Sequence, residues 1–137
     1  ADEFERNYRK GLNYGHTLGH ALESLSGYAI SHGEAVVLGM LLVNDLAQKK
    51  NVFNRQDQQE LEGFLRSFVD QKLLQKVREL RLDDLGLLLQ KDKKVSGDQI
   101  TFVMLRSIGD TVFFPMYLDE ALFRQVQDTI NHLCKEL

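Results

Sequence analysis

Apolar positions along this chain recur mostly at the three- and four-residue spacing of amphipathic helices. Leu18, Leu22 and Leu25 form one such face and predict a helix over Tyr14–Ser26. Gly27 closes it, because a residue without a Cβ suits the left-handed backbone that commonly follows a helix end. Next, Ser31-His32-Gly33-Glu34 has the form of a capping box, with the serine hydroxyl accepting from the Glu34 amide and the Glu34 carboxylate accepting from the Ser31 amide. The helix it opens is expected to run to about Lys50. From Ala35 to Val43 that helix is apolar almost all round, which predicts burial on several sides at the centre of the fold. Asn54 is placed to cap a third helix to about Val69, with Leu61, Phe64, Leu65 and Phe68 as its inward stripe. Asp70–Leu80 and Asp83–Lys91 read as two shorter helices.

The period then changes. Gln99–Leu105 and Thr111–Tyr117 are β-branched and aromatic, and the polar, glycine-containing stretch between them predicts a hairpin. Leu118–Leu137 returns to helix, with Leu122, Val126, Ile130 and Leu133 spaced for burial. The expectation is a mainly α fold with one small β-hairpin, forming one domain over residues 1–137, a length that can bury one core but not two.

Composition narrows the function classes. Seventeen basic and twenty acidic residues give a net charge of -3, and the basic residues are scattered. A nucleic-acid or membrane-surface binder would normally show a basic face or run, so neither partner is expected. The single cysteine, Cys134, cannot form an internal disulfide, no signal peptide is recognised, and no apolar run is long enough to cross a bilayer. A cytoplasmic protein is expected. The chain opens on Ala1 rather than Met, which raises the expectation of an excised domain or an upstream partner.

Candidate chemistry concentrates near the N-terminus. His16, His20 and His32 lie within seventeen residues, with Gly15, Gly19 and Gly33 beside them. His16 and His20 are one helical turn apart on one face, and His32 opens the next helix, so a helix–turn–helix can bring all three together. Converging imidazoles suit a divalent metal such as zinc. A helical histidine taken singly is more often a cap or a core residue, and an i,i+4 pair is a weak signal; three with interleaved glycines favour metal or anion binding. Arg9 and Asn13 lie just upstream, where they would supply donors for a phosphate or carboxylate if they line the same pocket as His20. The alternative is a solvated basic turn balanced by Asp2, Glu3 and Glu5. Lys91-Asp92-Lys93-Lys94 ends a short helix, where lysines are favoured by the helix dipole whatever their function.

The run Arg9-Lys10-Gly11-Leu12-Asn13-Tyr14-Gly15-His16-Thr17-Leu18-Gly19-His20-Ala21-Leu22-Glu23, followed by His32-Gly33-Glu34-Ala35-Val36-Val37-Leu38-Gly39-Met40, resembles the signature of the 3-dehydroquinate synthase family. Asp92-Lys93-Lys94 before a hairpin is similar to that family's later lysine motif. The resemblance implies the helical C-terminal domain of that fold. It makes His16 and His32 the metal ligands, with zinc or another divalent ion between them. It makes Arg9, Asn13, His20, Lys93 and Lys94 the substrate-binding set, with His20 and Lys93 as candidate catalytic groups. It also implies conversion of 3-deoxy-D-arabino-heptulosonate 7-phosphate to 3-dehydroquinate and phosphate, with NAD as a regenerated cofactor, in an enzyme that is commonly a homodimer.

Two features of the family pattern are missing. No glycine-rich turn follows a strand, so no cofactor-binding residue is expected in this chain and NAD would be held mainly by an absent N-terminal domain. The family's third zinc ligand, an upstream glutamate, has no counterpart either, since Asp2, Glu3 and Glu5 lie too close to Arg9. The chain alone is therefore expected to bind zinc poorly and to turn over nothing. Related readings are a 2-deoxy-scyllo-inosose synthase-like cyclase and, further off, the polyol and iron-type alcohol dehydrogenases, which have no need of Arg9, Asn13 and Lys93. A reading from another class is a non-catalytic helical interaction module.

Overall fold

The computed structural model describes residues 14–92 and 94–135. Within them the order is α1 (His16–Leu25), α2 (His32–Lys49), α3 (Arg55–Arg66), α4 (Gln71–Arg78), a short 3-10 turn (Leu82–Asp84), α5 (Leu85–Gln90), β1 (Val95–Ser96), β2 (Gln99–Ser107), β3 (Asp110–Tyr117) and α6 (Glu120–Lys135). The mainly helical expectation holds. The hairpin is present as β2 and β3, turning through Ile108 and Gly109, whose φ of 87° needs glycine. A third strand was not expected: β1 adds antiparallel to β2, with Val95 opposite Ile100. Two residues are too few to show a period.

Helix α2 is the centre. It packs against α1, α3, α6 and β2, and Ala35, Leu38, Leu42, Leu46 and Ala47 are essentially inaccessible. Its N-terminus carries the capping box: the Glu34 amide donates to Ser31 Oγ at 3.2 Å, and the Ser31 amide donates to Glu34 Oε1 at 3.0 Å. Asn54, Asp70 and Asp119 accept from amides in the first turns of α3, α4 and α6.

Helix α3 departs from the expected stripe. It stops at Arg66, and only Leu65 is fully buried. Phe64 and Phe68 are 61% and 58% exposed and pack edge-to-face on each other, ring centres 5.3 Å apart. Apolar spacing fixes which side of a helix is apolar, not how far a neighbour covers it. In α6, by contrast, Leu122, Val126, Ile130 and Leu133 are all buried as their spacing predicts.

Helix α1 begins two residues later than expected. Gly15 is its N-cap in a left-handed conformation, φ 79°, with no side-chain cap. Tyr14, just before it, is buried and donates its hydroxyl proton to Asn44 Oδ1 on α2. Burial pushes the phenol well above its ordinary range, with the Asn44 bond opposing. Asn44 is only 2% exposed, and its Nδ2 has no hydrogen-bond partner among the described residues. Tyr14→Phe therefore orphans a second buried polar atom and is expected to cost about 1–3 kcal/mol in a urea unfolding curve.

Three glycines let α1 and α2 touch backbone to backbone. A Cβ on Gly39 would lie 2.0 Å from the Gly15 carbonyl oxygen, and one on Gly19 would lie 2.8 Å from the Ala35 carbonyl oxygen. At the far end of α1, the Gly27 amide donates to Ser24 O and the Tyr28 amide to Glu23 O, each at 3.0 Å, while both residues adopt positive φ. This closing pattern turns the chain back so that α2 starts beside α1.

Candidate functional site

His16 is the first residue of α1, His20 lies one turn on, and His32 is the first residue of α2. The glycine contact between the helices and the tight turn joining them bring these three side chains to one place. The ring centres form a near-equilateral triangle: 5.5 Å for His16–His20, 6.0 Å for His16–His32 and 6.0 Å for His20–His32. His20 and His32 are exposed and His16 is half-buried. Burial lowers the His16 pKa, and the neighbouring His20, His32 and Lys94 add to the effect. A neutral imidazole is the form that binds a metal.

Lys94 reaches the same site from a segment 77 residues away in sequence. Its Nζ lies 3.4 Å from Thr17 Oγ1, to which it donates, and its backbone amide donates to Asp92 Oδ1 at 2.8 Å. Burial lowers its pKa, with Asp92 opposing. The open cleft so formed is about 630 Å³ and is lined by His16, His20, Ser24, Leu88, Lys91 and Lys94, among others. It sits where α1 meets α5 and the segment leading into β1. Two lysines against one carboxylate, Asp92, favour an anion here.

Glu23 was not assigned a role from sequence, yet it takes part. Its Oε1 lies 3.3 Å from His32 Nδ1. A signal existed, since His16, His20 and Glu23 are spaced i, i+4 and i+7, on one helical face. Thr17 carried no signal of its own; only the fold shows that its hydroxyl meets Lys94. Of the other expected site residues, Arg9, Asn13 and Lys93 lie outside the described residues.

Two imidazoles that share one ion at roughly 2.1 Å per nitrogen hold their ring centres about 5–6 Å apart, and the His16–His32 separation of 6.0 Å sits at the upper edge of that span. All three pairs are close to it, so distance alone does not select the ligands. The three rings do not converge as a finished cage: among the described residues no group of three or more His, Cys, Asp or Glu side chains is arranged to hold a metal ion. Two of these imidazoles, at separations compatible with one shared ion, could serve a metal only together with further oxygen or nitrogen donors from elsewhere. No described helix is long and apolar enough to cross a membrane.

A helical domain of this topology, with imidazoles and a lysine around one cleft, is a C-terminal domain of the dehydroquinate-synthase type. The chain belongs to the family described as 3-dehydroquinate synthase C-terminal, whose model matches residues 1–95. It is 36% identical over 121 residues to the 3-dehydroquinate synthase of Streptococcus agalactiae, covering 88% of this chain and 33% of the relative. It is 39% identical over 109 residues to that of Helicobacter pylori, covering 79% and 31%. The chain thus spans about a third of the length of the curated relatives it matches. Among solved structures, a 2-deoxy-scyllo-inosose synthase complexed with carbaglucose-6-phosphate, NAD+ and Co2+ superposes with a TM-score of 0.66 at 23% identity, covering 88% of this chain and 32% of the other. That likeness shows the shared fold.

Proposed function

We propose that the chain is the metal- and substrate-binding domain, over residues 1–137, of a 3-dehydroquinate synthase, the enzyme that converts 3-deoxy-D-arabino-heptulosonate 7-phosphate to 3-dehydroquinate and phosphate. The observation that carries this reading is the meeting of His16, His20 and Lys94 in one cleft, with the His32 ring 6.0 Å from each of the two histidines. His16 and His32 would hold a divalent ion, zinc or a similar metal. That choice rests on the family motif and is supported by the carboxylate on the far nitrogen of His32. When bound, the metal supplies Lewis-acid polarisation of the substrate's hydroxyl and carbonyl oxygens. NAD, which accepts and returns a hydride when bound, belongs in this reading to a nucleotide-binding part that the described residues do not form. The inosose synthase neighbour is complexed with both NAD+ and Co2+, which supports a metal and dinucleotide pair here.

The chain's own residues bind and orient. His20 stacks beside the two proposed ligands, where an imidazole can donate to a substrate oxygen next to the ion and can hold a proton there. Lys94, held by Thr17 and by the Asp92 turn, presents its ammonium to the substrate's phosphate or carboxylate. Arg9, Asn13 and Lys93 complete the anion-binding set in this reading, with Lys93 as a further catalytic group. A homodimeric assembly and a cytoplasmic location belong to the same proposal, the latter supported by the lone thiol, Cys134.

A second reading, a cyclase of the 2-deoxy-scyllo-inosose type, is favoured by the structural neighbour. The two separate by product. The full-length protein, given zinc, NAD and 3-deoxy-D-arabino-heptulosonate 7-phosphate, is expected to release phosphate and form 3-dehydroquinate. Lys94→Ala is expected to raise the KM for this substrate about tenfold or more, since a charge-assisted hydrogen bond is lost. Turnover of a hexose 6-phosphate instead would replace the first reading by the second.

A further inference from the structure

The residue facing His32 from behind is the one whose presence the proposed metal role does not by itself explain. His32 is exposed, with 61% of its side chain accessible, so packing does little to fix its rotation. Glu23 is 18% accessible, and its Oε1 lies 3.3 Å from His32 Nδ1. The backbone that carries this carboxylate is itself held. The Glu23 carbonyl oxygen accepts from the Tyr28 amide at 3.0 Å and from Ser26 Oγ at 2.8 Å, at the turn joining α1 to α2. The nearby acid Glu34 is engaged in the capping box, on the Ser31 amide, and lies 3.9 Å from Lys76.

We propose that Glu23 is the positioning residue of His32. An ionised carboxylate only accepts, so the proton of a neutral His32 ring must sit on Nδ1 and be donated to Glu23. That fixes the tautomer, turns the ring, and leaves the Nε2 lone pair free for a cation on the side of His16. The negative charge behind the ring also makes Nε2 a better donor, and outer partners of this kind are worth about 10–100-fold in metal affinity. Glu23 stands on the same face of α1 as His16 and His20, so one helix supplies a ligand, a substrate contact and the brace for a ligand on the next helix. This inference rests on the metal reading of His16 and His32.

The test uses the full-length protein with nitrogen-15-labelled histidine, metal-free and at about pH 8.5, where a free imidazole is neutral. Ring nitrogen shifts are expected to report Nδ1–H for His32 in the wild type and a move towards Nε2–H in Glu23→Ala. Zinc affinity by competition with a chromophoric chelator is expected to fall about tenfold in Glu23→Ala. Glu23→Gln keeps an acceptor oxygen and is expected to recover most of that loss together with the Nδ1–H tautomer. An unchanged tautomer in Glu23→Ala, or zinc affinity equal to wild type, would overturn the inference. Equal zinc affinity in the wild type and in His32→Ala would instead overturn the metal reading, and the affinity half of this inference with it; the tautomer result still judges the brace.

Discussion

Gly39→Ala is expected to force α1 away from α2 and to dismantle the site with it. The added methyl group would sit 2.0 Å from the Gly15 carbonyl oxygen, 2.7 Å from the Gly19 nitrogen and 3.0 Å from the Gly19 Cα. Each neighbour is backbone, so no side chain can rotate out of the way. Overpacking a core ordinarily costs about 1–3 kcal/mol, and a clash with main chain on a helix that is already fully packed should exceed that range. The measurement is thermal unfolding followed by circular dichroism. A useful contrast is Gly63→Ala in α3, where a Cβ meets nothing within 4 Å. Alanine there is expected to stabilise by about 0.5–1 kcal/mol through helix propensity alone. If Gly39→Ala melts like the wild type, the close crossing that presents His16 to His32 is wrong.

The second large effect concerns the imidazoles. A ligand that binds only the folded state raises stability by mass action, by about 2.7 kcal/mol when its concentration is a hundred times its Kd. Zinc is expected to raise the melting temperature of the full-length wild type, in which further donors complete the site. His16→Ala and His32→Ala should each abolish the rise, because one imidazole cannot hold the ion against water. His132→Ala, on α6 and outside the cleft, should leave it intact. A zinc-dependent rise that survives in both His16→Ala and His32→Ala would place the ion elsewhere.

Much of this architecture was legible in the sequence because helices write their own boundaries. The capping box at Ser31 and Glu34, the Asn54 cap and the buried stripe of α6 each follow from local hydrogen bonding or a fixed period, and each stands where expected. What local rules do not encode was missed. The strand Val95–Ser96 has no period to read, and it exists only because β2 offers it an edge. Phe64 and Phe68 have core-like spacing, but no element among the described residues covers them.

The site divides in the same way. The shared face of His16 and His20 is a property of one helix and was readable from their spacing. The approach of His32 depends on the length of one turn, and it too could be anticipated. The partnership of Lys94 with Thr17 spans 77 residues and depends on how α5 docks on α1, which no local pattern carries. Glu23 falls between the two cases: its helical face was visible, but which side chain it would meet was not. The proposed division of the imidazoles into metal ligands and a substrate contact rests on the family motif, since the three separations are nearly equal.

The central claim is that one divalent ion is shared by His16 and His32. Anomalous diffraction from crystals of the full-length protein grown with Co2+ tests it directly. The predicted result is a single strong peak within about 2.1 Å of a ring nitrogen of each residue, with Glu23 still on His32 Nδ1. A peak bonded to neither ring, or one bonded to His20 in place of either, would contradict it.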